Sequence, residues 1–130
     1  MIDDFVFHQK DRSIAFTSMG HLNYLSTLQF VDGVLGNSSS GIIEAPIFKI
    51  GTINIGDRQK GRLRSSSIID CRPDVKLINK SINKLYSKDF KKTLTQSKNV
   101  YGSGNSSKNI IDILKIDKIP KELKKNFYDL

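Results

Sequence analysis

The sequence predicts an α/β fold built on a parallel, doubly wound sheet. Short apolar stretches (VLG at 34–36, TINI at 52–55, SIID at 67–70) alternate with segments whose apolar residues recur at helical spacing. A buried parallel strand needs a brief apolar run and its crossover needs an amphipathic helix, so this alternation is the signature of β–α–β units. Size agrees, because 130 residues suit one domain with a moderate core. A hydrophobic content of 38% and a charged content of 26% are ordinary for a globular chain.

Taken in order, Ile2 to Gln9 reads as the end of a helix with Ile2, Phe5 and Val6 on one face. SIAFT at 13–17 is short, apolar and flanked by polar residues, which predicts a strand. Gly20 breaks the chain, and His21 to Phe30 is an amphipathic helix through Leu22, Leu25 and Leu28. Asp32-Gly33 stops that helix before the short strand Val34 to Gly36. Asn37 to Gly41 is a turn of helix-capping residues. It opens a helix over about 41–48, which Pro46 must keep short or kinked. Gly51 closes it, Thr52 to Ile55 is a β-branched strand, and Ser67 to Asp70 is a further strand.

Val75 to Tyr86 is a helix with Leu77, Ile78, Ile82 and Leu85 on its apolar side, followed by a less marked helix over Lys88 to Lys98. Asn99 to Ser106 is a loop, and Ile110 to Ile116 belongs to a helix with Ile110, Ile113 and Leu114 inward. After Pro120 comes a basic, amphipathic tail.

In doubly wound sheets ligands sit outside the carboxyl ends of the strands. The Gly36–Gly41 turn and the Gly56–Arg62 loop each follow a strand, so both are expected on that edge. A helix entered through Ser38, Ser39 and Ser40 offers free N–H groups, hydroxyls and the positive end of a dipole, which suit a phosphate. Glu44, one turn further, would repel phosphate but can accept from two ribose hydroxyls. A nucleoside diphosphate carries both groups at about that separation. Arg58 can fork onto phosphate oxygens, with Arg62 a lesser candidate. His21 and Tyr24 can stack on a base or donate to it. Blander roles stand beside each. The serines can simply cap the helix, and Glu44 can close a capping box with Ser40, though its spacing is one residue too long. Arg58 can pair with Asp57 or Asp70, and His21 and Tyr24 can belong to core or surface.

The net charge of +8 raises the question of nucleic acid, but much of the excess is lysine at helical spacing in the C-terminal half, without interleaved aromatics. Solvated helix faces explain it better. No apolar run approaches the roughly 20 residues of a membrane span. The first residues lack the basic-then-apolar order of a secretory signal, so a cytoplasmic location is expected. The single Cys71 excludes an internal disulfide framework, and with only His8 and His21 it argues against zinc. There is no GxxxxGK[ST] loop, no GxGxxG fingerprint and no histidine at triad spacing from the serines, and no cofactor is implied. The residues point to binding chemistry rather than catalysis.

GNSSSGIIEAP at 36–46 and GTINIGDRQKGR at 51–62, with HLNYLS upstream and VYGSGNSSKNIIDILK downstream, resemble the C-terminal part of UDP-N-acetylglucosamine 2-epimerases. The nearest branch is the hydrolysing one of sialic- and legionaminic-acid pathways. The resemblance implies a glycosyltransferase-B architecture of two Rossmann-like domains, with 1–116 as a partial C-terminal UDP-binding domain and 117–130 as a basic tail. It implies that Ser38 and Ser39 hold a diphosphate, that Glu44 takes the ribose, that Arg58 approaches the phosphates, and that Tyr24 lies near the uracil; Ser40 and His21 join them as UDP-binding candidates on the residue reading above. The family's GDG loop corresponds to Gly102-Ser103-Gly104, without its acid. The family's catalytic acids and allied histidine precede the matched region, so a fragment without catalytic residues is expected. Its implied partners are UDP or a UDP-N-acetylhexosamine and a separately encoded N-terminal half. Neither nucleic acid nor membrane is implied, and full-length members are expected to be homo-oligomers. A non-catalytic nucleotide-sugar binding module is the alternative.

Overall fold

The β-branched TINI segment becomes the central strand of the sheet. In the computed structural model, which describes residues 1–102 and 104–116, β1 (Gly33–Gly36), β2 (Gly51–Ile55) and β3 (Ile68–Cys71) pair in parallel in the order β1-β2-β3. The α/β class and the three strands at 34–36, 52–55 and 67–70 are therefore found, each within a residue of its expected place. Val34 lies opposite Thr52, Ile53 opposite Ile69, and Asn54 opposite Asp70.

The two-residue period of a strand then sorts the sheet into faces. Ile53, Ile69 and Cys71 share one face with Leu85, Phe90 and Leu94, delivered by α4 (Val75–Tyr86) and α5 (Lys88–Gln96). Removing each large apolar side chain of this cluster from water contributes about 1.5–3 kcal/mol. Caps define the two helices. Asp74 accepts from the Leu77 N–H at 2.9 Å to start α4, and Ser87 accepts from the Phe90 N–H at 3.2 Å to start α5.

The opposite face carries Thr52 and Asn54. Here α3 (Ser40–Ile43) packs so closely that a Cβ on Gly41 would stand 2.7 Å from Thr52 Cγ2. The Thr52 hydroxyl donates to the Gly41 carbonyl at 2.6 Å and fastens helix to strand. As Pro46 requires, α3 is short and gives way to a 3-10 turn at Ala45–Phe48 with the proline in its first turn, where no N–H is needed.

Three expectations fail. SIAFT is not a strand. Ile14 and Phe16 are exposed in irregular chain, because a strand exists only through a partner backbone and no described strand offers one there. The helix over His21 to Phe30 is shorter, α2 (His21–Thr27), and Leu22 on its expected apolar face is exposed, leaving Leu28 as the buried anchor. The last helix forms as α6 (Ser106–Ile116), yet Ile110, Ile113 and Leu114 are exposed rather than inward, since no described element covers them. The first helix, α1 (Ile2–His8), also buries nothing. The tail at 117–130 and the middle of Gly102-Ser103-Gly104 lie outside the described residues. Among the described residues no helix is long and apolar enough to cross a membrane.

Candidate functional site

All three strands empty onto one edge. β1 leads into Asn37 to Ser39, β3 into Arg72-Pro73, and β2 turns through Gly56, whose φ of +79° favours glycine, into the basic loop. Ser38 is exposed, and Ser39 and Ser40 are half-buried, so the hydroxyl-rich turn faces solvent. It is not a plain helix cap. Ser39 occupies the N-cap position of α3 without a capping side-chain bond. Ser38 Oγ accepts a long 3.3 Å bond from the Ser40 N–H. Ser40 Oγ instead donates to the Tyr24 hydroxyl at 2.6 Å. The N–H groups of Ser38 and Ser39 find no main-chain acceptor among the described residues. The dipole expected to help is small, because α3 has only 4 residues. Any pull on an anion comes from individual N–H groups and hydroxyls.

Glu44 follows α3 directly, with its N–H bonded to the Ser40 carbonyl at 2.9 Å. The capping box does not form. Glu44 Oε2 is buried with no hydrogen-bond partner. A buried, unpaired carboxylate oxygen is costly, and a donor-bearing ligand removes that cost.

The basic loop reaches this turn by an unexpected route. Asp70 pairs with Arg64, not Arg58, and also accepts from Asn54 Nδ2 at 2.8 Å. Arg58 Nη1 approaches the Asn37 carbonyl at 3.4 Å, and Gln59 Nε2 donates to the same oxygen at 2.8 Å. Arg64 Nη2 closes the network by donating to the Gln59 carbonyl at 3.0 Å. Serine turn and basic loop thus meet at one carbonyl. Arg62 is exposed. His21 is also exposed, at the start of α2, three positions before the half-buried Tyr24. Beside the loop, Lys60, Arg64 and Arg72 line an open hollow of about 660 Å³ together with Asp57 and Asp70, and none of Ser38 to Glu44 borders it.

The structure therefore brings together Tyr24, Ser40 and the start of α3, and separately ties Arg58 to Asn37. Sequence reasoning missed Gln59, which is only 3% exposed. A glutamine in a loop of charged residues carries no signal of burial; the one clue was its place between the β2 exit and Gly61. Among the described residues no group of histidine, cysteine, aspartate and glutamate could hold a metal ion.

The profile of the family described as UDP-N-acetylglucosamine 2-epimerase matches residues 1–115. The chain belongs to that family. It is 46% identical over 116 residues to the GDP/UDP-N,N'-diacetylbacillosamine 2-epimerase (hydrolyzing) of Campylobacter jejuni, covering 88% of this chain and 30% of that protein. It is 42% identical over 110 residues to the polysialic acid biosynthesis protein P7 of Escherichia coli, covering 83% of this chain and 28% of that one. The UDP-N,N'-diacetylbacillosamine 2-epimerase (hydrolyzing) of Legionella pneumophila is 33% identical over 118 residues, 88% of this chain and 29% of its own length. This epimerase-family chain spans less than a third of these curated relatives.

Proposed function

We propose that this chain holds the UDP end of a UDP-N-acetylhexosamine in a hydrolysing 2-epimerase. That enzyme turns a UDP-GlcNAc-type sugar and water into a ManNAc-type sugar and UDP for nonulosonic acid synthesis. The relatives named for diacetylbacillosamine favour a diacetamido substrate. In this reading Ser38, Ser39 and Ser40 surround the diphosphate, Arg58 turns onto its oxygens, Glu44 accepts from the ribose hydroxyls, and Tyr24 with His21 borders the uracil. The chain is the C-terminal portion of a two-domain enzyme, and the acids that act on the sugar lie outside it. Alone it binds and does not turn over.

The observation that carries this reading is Glu44 Oε2, an orphaned buried acceptor one helical turn beyond a serine turn in which Ser38 is exposed and Ser39 and Ser40 are half-buried. Hydroxyl donors of a ribose satisfy it, while N–H groups and Arg58 face the charge that develops on UDP as the C–O bond to the sugar breaks. Restraining a leaving group by fixed donors is a large catalytic term. The same pocket without chemistry, a nucleotide-sugar binding module, differs only in having no catalytic partner.

Calorimetry of the chain with UDP and with UMP tests the pocket. UDP is expected to bind more tightly, and Arg58→Ala to reduce that preference about tenfold, as for loss of a charge-assisted hydrogen bond. Equal affinity for the two nucleotides would count against it. Co-expression with an N-terminal half of a family member, followed by a sugar-release assay, tests the enzymatic reading: release only by the pair supports it, and release by neither leaves the binding module.

A further inference from the structure

We infer that Gln59 is a positioning residue for the diphosphate, acting by keeping Arg58 free; this rests on the nucleotide reading above. Two donors compete for one acceptor at the junction of turn and loop. Gln59 Nε2 holds the Asn37 carbonyl at 2.8 Å, an ordinary hydrogen-bond length, whereas Arg58 Nη1 stands at 3.4 Å, at the long limit. Because the glutamine already satisfies that carbonyl, the arginine loses little by turning away toward a ligand. Gln59 is suited to the task. It is 3% exposed, so its amide has no route to water in exchange for Asn37. Its main-chain carbonyl is gripped by Arg64, which in turn pairs with Asp70 on β3. The strut therefore runs from the end of β1 through the basic loop to β3, and it sets the distance between serine turn and Arg58.

Take away the Gln59 donor and the Asn37 carbonyl recruits Arg58. The guanidinium then has a resident partner to abandon before it can reach phosphate, and affinity for the second phosphate falls selectively. A residue that served folding alone would lower affinity for every nucleotide alike.

The test is a double-mutant cycle read by calorimetry with UDP and UMP, on the full chain. Gln59→Met keeps the volume and removes the donor; Gln59→Glu keeps the shape and places a carboxylate that draws Arg58 inward. Either is expected to weaken UDP about fivefold to tenfold while UMP changes less than about twofold, the size of one charge-assisted contact. In the Arg58→Ala background the same substitutions are expected to change UDP binding by less than about twofold. Circular dichroism identifies a variant that fails to fold, in which case the other supplies the cycle. Equal losses for UDP and UMP, or an undiminished UDP loss without Arg58, would overturn the role given to Gln59 alone. Wild-type chain that binds neither nucleotide would overturn the nucleotide reading and this role with it.

Discussion

Thr52 holds α3 against the sheet through a single buried hydroxyl. Its side chain is 2% exposed and donates to the Gly41 carbonyl, in a contact so close that no side chain fits on Gly41. Thr52→Val is nearly isosteric and removes only the donor, so it is expected to lower unfolding free energy by about 1–3 kcal/mol, the cost of a buried acceptor left unpaired. Urea denaturation measures it, with Thr52→Ser as the variant that keeps the bond. At this scale the site was half legible. Serines before an apolar helical run announce an N–H-rich turn from their spacing alone. That Ser40 binds Tyr24 while Gln59 rather than Arg58 secures Asn37 depends on which loops meet in space, and no local pattern records it.

At the scale of elements, α4 and α5 supply most of what makes one face of the sheet a core. Leu85 is 6% exposed among Ile53, Ile69 and Phe90, and Asp74 caps the helix that carries it. Leu85→Ala leaves a cavity and is expected to cost about 2–5 kcal/mol, whereas Asp74→Ala loses one cap bond and about 1 kcal/mol. Thermal melts of the two variants, with the alanine at 85 melting well below the alanine at 74, check the order. Legibility followed the same division. TINI, VLG and SIID were readable because each is a brief run with apolar or β-branched residues at its centre, bounded by turn residues. SIAFT has the same composition and failed, because composition registers a preference for extended chain and says nothing about whether a neighbour backbone is present to pair with it. The kink at Pro46 was readable because a proline inside a helical run cannot donate, whereas the Ser87 cap that divides α4 from α5 emerged only in the structure.

Over the whole molecule, apolar periodicity and burial part company. Helix α6 has the apolar spacing of an inward face, yet Ile110 is 56% and Ile113 57% exposed, comparable with Phe5 at 57% on α1. Amphipathicity states that a face wants a partner, and the partner need not lie among the residues that carry it. The consequence for stability is the reverse of what the sequence suggests. Replacing a buried isoleucine by a polar residue removes apolar burial and strands a polar group, while the same change at an exposed position does neither. Ile110→Gln with Ile113→Gln is therefore expected to leave the unfolding free energy of this chain within about 0.5 kcal/mol of wild type, helped slightly by the better helix propensity of glutamine. Ile53→Ala, at a position 1% exposed, serves as the opposing case and is expected to lose about 2–5 kcal/mol. If the double glutamine variant instead lost as much as Ile53→Ala under the same denaturant series, α6 would have to pack against this chain's own core. The distinction between an amphipathic helix and a core helix would then have been drawn in the wrong place.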